Sequence, residues 1–103
     1  MTITIQYQHM PTSESLNEIV SHNLEKLAHK YQFLIRASVL FKMENDPTGN
    51  GRICEVELSA PGPRIFAKSN EDNFEKAASA TLSDLHRQLE KRKEKFSKRK
   101  RAL

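Results

Sequence analysis

Residues 70–103 read NEDNFEKAASATLSDLHRQLEKRKEKFSKRKRAL, and this stretch predicts one long helix with two different halves. The first half repeats apolar side chains at steps of three and four residues, which is the period of one helix face. After Leu89 that face continues with Arg92 and Lys93, and only Phe96 is apolar again. We therefore expect the helix to outrun the core after Leu89, so that a chain cut there still folds. The apolar repeat consists of Phe74, Ala77, Ala78, Leu82, Leu85 and Leu89.

The second half of this helix carries most of the positive charge of the chain. Residues 87–101 contain nine basic and two acidic side chains, a net +7, whereas the formal charge of the whole chain is +4. Like charges four residues apart weaken an isolated helix, so such a segment is typical of a protein that binds a polyanion. Helical angles suggest that Lys91 and Arg92 lie near the apolar stripe and are held more rigidly than Lys98 and Arg101.

Ahead of the long helix, the sequence alternates between strand and helix patterns. Strict alternation of polar and apolar residues indicates half-buried strands, and Ser13 is a good N-cap for a helix. A segment rich in turn formers separates the second and third strands, and Pro61-Gly62-Pro63 makes the next turn. The predicted elements are a strand at 2–8, a helix from Ser13 to about Tyr31, strands at 35–44, 52–60 and 64–68, and the long helix.

The order β-α-β-β-β-α predicts an α+β domain with a four-stranded sheet. The first and second strands should be parallel, and the second to fourth should form an antiparallel meander. Each helix has one apolar stripe and the outward strand positions are polar, so both helices should pack side by side on one face. Lys26 and Lys30 of the first helix then lie near the basic half of the second. The positions expected inside include Leu16, Ile19, Val20, Leu24, Leu27 and Tyr31 on the first helix, and Ile35, Ala37, Val39, Phe41 and Met43 on the second strand.

Composition limits the classes of function. At 103 residues the chain supports one domain, which we divide into a folded α/β part at 1–96 and a basic tail at 97–103. The single cysteine, Cys54, reads as a strand residue on an apolar face and fits a reducing cytoplasm. No secretory signal is visible, and no apolar run approaches about 20 residues. The four histidines lack metal-ligand spacing, and no phosphate loop or nucleophile motif is present, so we expect no enzyme activity, metal or cofactor.

These features together resemble the ribosome hibernation promoting factor family. The resemblance covers nearly the whole chain and is carried by the element order, by Ser13-Glu14-Ser15-Leu16, by Phe41-Lys42-Met43-Glu44, and by Gln88-Leu89 with the alternating lysines that follow. It implies a fold similar to double-stranded RNA-binding domains. It also implies binding to the small ribosomal subunit through rRNA in the mRNA and tRNA channel, which silences translation under stress or in stationary phase.

The resemblance makes the basic residues candidate rRNA contacts. The implied set is Lys26, Lys30, Arg87, Lys91, Arg92, Lys93, Lys95, Lys98 and Arg99. The implied partners are the small ribosomal subunit and its rRNA, with the free protein monomeric and cytoplasmic, and with no membrane or small-molecule substrate. The chain departs from the family pattern at Asn17, Asn23 and Asp84, where basic residues are common. The alternative interpretation is a general structured-RNA-binding adaptor that does not block decoding.

Overall fold

The computed structural model describes the backbone of residues 1–102 and the side chains of residues 1–97. Its elements are β1 (Thr2–Gln8), α1 (Glu14–Lys30), β2 (Arg36–Met43), β3 (Arg52–Ser59), β4 (Ile65–Glu71) and α2 (Phe74–Ala102). The strands form one sheet in the order β1-β2-β3-β4, with β1 parallel to β2 and the other pairs antiparallel. The predicted α+β fold is confirmed. Across the described residues, no helix combines the length and the apolar composition needed to cross a bilayer.

Helix α1 begins and ends where its capping residues allow. The Ser13 Oγ accepts a hydrogen bond from the Leu16 backbone N–H at 3.3 Å, which satisfies one of the free amides of the first turn. At the other end the Tyr31 N–H donates to the Leu27 carbonyl at 2.7 Å. Leu16 is buried as predicted, but Ile19 is 38% exposed, so the expectation that Ile19 lies inside is wrong. Ile19 is exposed because it lines the outer groove between the two helices.

The boundary between β4 and α2 differs from the prediction. Asn70, expected at the start of the helix, pairs with Ile53 of β3, and the ladder continues to Glu71. The helix starts at Phe74 because Asn73 caps it: the Asn73 Oδ1 accepts from the Lys76 N–H at 2.8 Å. The polar residues before this cap suit an edge strand and a helix surface equally well, so the periodicity alone placed the boundary too early.

The core lies between the sheet and the two helices. It includes the apolar stripe of α2, where Ala77, Ala78, Leu85 and Leu89 are buried. Thr81 is also fully buried, and its Oγ1 is 2.8 Å from the Ala77 carbonyl and 3.2 Å from the Cys54 carbonyl, so a buried hydroxyl links α2 to β3. Counting apolar residues missed this position because a threonine can enter a core once its hydroxyl has a partner.

The open face of the sheet is less uniformly polar than the pattern predicts. Ile53 is buried there, outside the main core cluster, and Phe66 is 50% exposed. On β2, Ala37, Val39 and Phe41 lie inside as expected. The expectation is wrong for Ile35 and Met43, which are exposed because they lie just before the strand and at its last position.

Candidate nucleic-acid interface

The end of α1 contacts the basic half of α2 through a cluster of polar side chains. The Lys30 Nζ lies 3.4 Å from the Glu90 Oε1 and 3.1 Å from the His86 Nε2, and the Tyr31 hydroxyl donates to Glu90. This arrangement places Lys30 beside α2, as the sequence predicted. The hydrogen bond from Tyr31, together with the Lys30 charge, lowers the pKa of Glu90, so this carboxylate stays ionised and offsets one positive charge.

Lys26 lies one helical turn before Lys30 and is exposed. It lines the groove between α1 and α2, a cavity of about 360 Å³, opposite His86. The rest of the lining mixes apolar and polar side chains with one acidic side chain, and it includes Ile19, Asn23, Leu27, Glu75, Ser79, Leu82 and Ser83. Lys26, Lys30 and the basic part of α2 therefore lie on the helical side of the molecule, away from the open face of the sheet.

Among the side chains that the structure describes, four candidate cations of α2 are exposed. These are Arg87, Lys91, Lys93 and Lys95. The Arg87 Nη2 lies 3.4 Å from the Asp84 Oδ1, a surface ion pair that leaves the guanidinium largely accessible. Within the described side chains, Lys91, Lys93 and Lys95 form no salt bridge. Since hydrated surface lysines repel one another, this row favours an anionic ligand.

Lys91 and Arg92 lie in different environments, although the helical angles placed both near the apolar stripe. Lys91 follows Leu89 by two residues, which is about 200° around the helix, and it is exposed. The placement of Lys91 beside the apolar stripe is therefore wrong. Arg92 does lie on the buried side, where its Nη1 and Nη2 donate to the carbonyls of Pro61 and Pro63 at 2.7 and 2.8 Å.

The basic half of α2 keeps further contact with the domain. The Phe96 ring packs edge to face on Phe33, with ring centroids 5.2 Å apart. Together with Glu90 and Arg92, this contact holds α2 for two turns beyond Leu89. Leu89 is the last buried side chain of α2 among those described, as the apolar stripe predicted. The contacts beyond it keep the helix against the domain, and folding of a chain cut after Leu89 stays a prediction.

Two of the candidate contacts, Lys98 and Arg99, lie outside the described side chains. The helical backbone continues through them to Ala102 without interruption at residue 97. The division into a domain at 1–96 and a tail at 97–103 therefore stays a prediction.

The departures from the family pattern have structural counterparts. The Asn17 Oδ1 lies 2.7 Å from the Tyr7 hydroxyl, so this side chain joins α1 to β1. Asn23 lines the groove between the helices, and Asp84 pairs with Arg87. A lysine at position 17 would remove this contact and leave the Ser13 carbonyl, 2.8 Å away, as the acceptor for the Tyr7 hydroxyl.

The thiol of Cys54 lies in surroundings that disfavour reactivity. Cys54 is fully buried, and this burial raises the pKa of its thiol to about 11, which keeps it protonated at neutral pH. The predicted placement of Cys54 on the apolar face of its strand is confirmed. Among the described residues, no group of three or more His, Cys, Asp or Glu side chains is arranged to hold a metal ion.

Comparison with known proteins agrees with the fold and the resemblance. A "Ribosome hibernation promoting factor" of Pseudomonas putida is 26% identical over 95 residues, covering 92% of this chain and 89% of the relative. A "ribosomal subunit interface protein" from Coxiella burnetii superposes with a TM-score of 0.80 at 22% identity, covering 90% of this chain and 98% of that one. The N-terminal domain of Thermus thermophilus Protein Y gives a TM-score of 0.76 at 16% identity, covering 88% and 98%.

A family model also matches the chain, and the match reaches every described element. The sequence model of the family described as "Sigma 54 modulation protein / S30EA ribosomal protein" matches residues 3–97, from β1 to the basic half of α2. The resemblance to hibernation promoting factors is thereby confirmed. The chain belongs to the Sigma 54 modulation protein / S30EA ribosomal protein family.

Proposed function

We propose that this protein binds the small ribosomal subunit through rRNA in the mRNA and tRNA channel and silences translation under stress or in stationary phase. The observation that carries the proposal is the row of exposed cations on α2, held against the domain by Glu90, Arg92 and Phe96. The names of the relatives support the ribosome as the partner, since they denote hibernation and subunit interface proteins.

The proposed contact surface combines both helices. It consists of Lys26, Lys30, Arg87, Lys91, Lys93 and Lys95, with Lys98 and Arg99 continuing it in sequence. Six of these eight are lysines, flexible point charges that suit phosphate oxygens better than base edges. The exposed aromatic Phe66 lies on the opposite face of the sheet. Recognition therefore rests on the phosphate backbone and the shape of the RNA, with little base stacking on this side.

Electrostatic recognition of this kind has a measurable signature in the dependence on salt. Each phosphate contact releases counterions and contributes about 0.7 to 0.9 to the slope of log affinity against log salt. If about five of the cations engage, the slope is roughly −4. A titration that stays flat from low to high salt would contradict the electrostatic contact surface.

Replacing two exposed cations on one side of α2 tests the surface directly. Lys91 and Lys95 are one turn apart, and we expect Lys91→Ala with Lys95→Ala to weaken ribosome pelleting about tenfold, or ~1.4 kcal/mol, and to relieve translation inhibition. The slope should also fall by about 1.4 to 1.8. The control for total charge is Lys68→Ala with Lys76→Ala, which removes two charges from the sheet and from the start of α2, where they pair with Glu55 and Asp72.

The outcomes separate the two candidate functions. Loss of binding in the α2 variant with an unchanged control supports the proposed surface. Equal losses in both variants would mean that total charge, and not a positioned surface, carries binding. Ribosome pelleting by the wild-type protein without inhibition of in-vitro translation would instead favour the general RNA-binding adaptor.

A further inference from the structure

We propose that Arg92, although it lies in the middle of the basic segment, acts as a positioning residue and does not contact RNA. Its role is to fasten α2 to the turn between β3 and β4, and so to fix the direction in which the exposed lysines point. This inference rests on the proposed function for its effect on ribosome binding. The fastening itself is a property of the free protein.

The geometry of Arg92 distinguishes it from its neighbours. Its two terminal nitrogens donate to two carbonyls of the same turn, Pro61 O at 2.7 Å and Pro63 O at 2.8 Å. The flanking Lys91 and Lys93 are exposed, and their side chains make no hydrogen bond within the described part of the chain. A guanidinium whose Nη1 and Nη2 are both bonded to the turn has three of its five N–H donors left, and a bidentate contact between this Nη1–Nη2 pair and a phosphate would compete with the turn.

The turn between β3 and β4 offers the Arg92 side chain both hydrogen-bond acceptors and space. Pro61 and Pro63 have no backbone N–H, so the turn has few donors of its own for its carbonyls. Gly62 has a φ of +95°, and a Cβ on it would lie 3.0 Å from the Arg92 Nη1, so a larger residue would crowd the guanidinium. The proline-glycine-proline sequence thus gives two outward carbonyls and the space for Arg92 to reach them.

A second tether lies one helical turn earlier on the same side of α2. The Gln88 Nε2 donates to the Phe66 carbonyl of β4 at 2.9 Å. Two successive turns of α2 are thereby bonded to β4 and to the turn that precedes it. On the other flank, Glu90 accepts from Tyr31, the residue that ends α1. Held from both sides, the helix fixes the direction of its exposed face, and this fixed direction lowers the entropy lost on binding.

The chemical difference between arginine and lysine gives the test, because Arg92→Lys keeps the charge and removes the fork. We expect Arg92→Lys to weaken ribosome binding about tenfold at fixed salt, with the salt slope unchanged. The matched control is Lys93→Ala, the neighbouring exposed cation, which should weaken binding about two- to threefold and lower the slope by about 0.7 to 0.9. Ribosome binding by Arg92→Lys as tight as that of the wild type would overturn the proposal. Arg92→Ala gives a second check, because a decrease in its salt slope equal to that of Lys93→Ala would also overturn the proposal.

Measurements on the free protein separate a failure of this inference from a failure of the proposed function. Hydrogen exchange of the α2 amides between Glu90 and Phe96 should accelerate in Arg92→Lys and stay unchanged in Lys93→Ala, with both variants folded by circular dichroism. Unchanged exchange in Arg92→Lys would overturn the tether whether or not the wild-type protein binds ribosomes. If the exchange accelerates but the wild-type protein fails to bind, the tether stands and the proposed function fails.

A third variant disturbs the contact between Arg92 and the turn by changing the turn, and it removes no charge. Gly62→Ala crowds the Arg92 Nη1 and strains a backbone at positive φ, so it should reproduce the faster exchange and the weaker binding of Arg92→Lys. Because both changes break one interaction, their combination should be little worse than either alone. Additive losses in the double variant would show that the two residues act separately and would contradict the tether.

Discussion

The two halves of α2 are attached to the same domain by different interactions. From Phe74 to Leu89 the helix is held by apolar burial, with Leu85 and Leu89 fully enclosed. Beyond Leu89 it is held by charged and aromatic side chains at its flanks, through Glu90, Arg92 and Phe96. The first attachment buries one continuous face of the helix, whereas the second buries no continuous face and leaves most of the helix circumference exposed.

This difference shows how a helix can be both anchored and available for binding. Apolar burial needs a continuous face, and that face is lost to any ligand. Side-chain tethers at the flanks hold the backbone while Lys91, Lys93 and Lys95 stay in solvent. A segment held this way is less stable than the core half but more ordered than a free tail, which suits a positioned cationic surface.

The largest expected effect comes from the core half. Leu85→Ala removes a fully buried side chain and should lower the free energy of unfolding by about 2–5 kcal/mol, because it leaves a cavity between α2 and the sheet. Urea denaturation measures the loss. Lys91→Ala serves as the control and should change stability by less than about 0.5 kcal/mol. Equal destabilisation by the two variants would contradict the distinction between the halves.

A smaller effect is expected from the aromatic tether. Phe96→Ala removes a partly buried ring and its edge-to-face contact with Phe33, at a cost of about 1–2 kcal/mol in unfolding free energy. Thermal unfolding gives this value, and Phe96→Leu, which keeps an apolar side chain, should recover part of it. A Phe96→Ala protein as stable as the wild type would show that the contact with Phe33 does not hold α2 to the domain.

The smallest effect concerns pH at the Tyr31 and Glu90 contact. The Tyr31 hydrogen bond is the main cause that lowers the pKa of Glu90 in the folded protein. The ionised carboxylate therefore stabilises the fold at pH values above the pKa of an unfolded glutamate, about 4.3. This stabilisation is lost as the pH falls through the pKa of Glu90 in the folded protein. Tyr31→Phe removes this bond and keeps the ring that packs near His86. The stability difference from wild type should be present at pH 7 and shrink near pH 3, measured by denaturant unfolding. A difference of the same size at both values would exclude the ionised carboxylate as its source.

Much of the fold was predictable because it depends on local periodicity. Alternation fixed β1, β2 and β3 within a residue or two, and the cap at Ser13 fixed the start of α1. The pattern misplaced the start of α2, because polar residues before Asn73 fit a strand edge as well as a helix. It also missed the burial of Thr81, which depends on carbonyl partners supplied by α2 and β3.

The amino-acid sequence by itself determined the order of elements, the apolar stripes, the family resemblance and the concentration of positive charge in one helix. Each of these is a property of neighbouring residues along the chain. The tertiary structure alone decided which cations are free. Arg92 and Lys93 are adjacent and equally charged, yet Arg92 is bonded to a turn about thirty residues away in sequence, while Lys93 remains in solvent. Spatial proximity of distant segments sets that difference, and no local pattern records it.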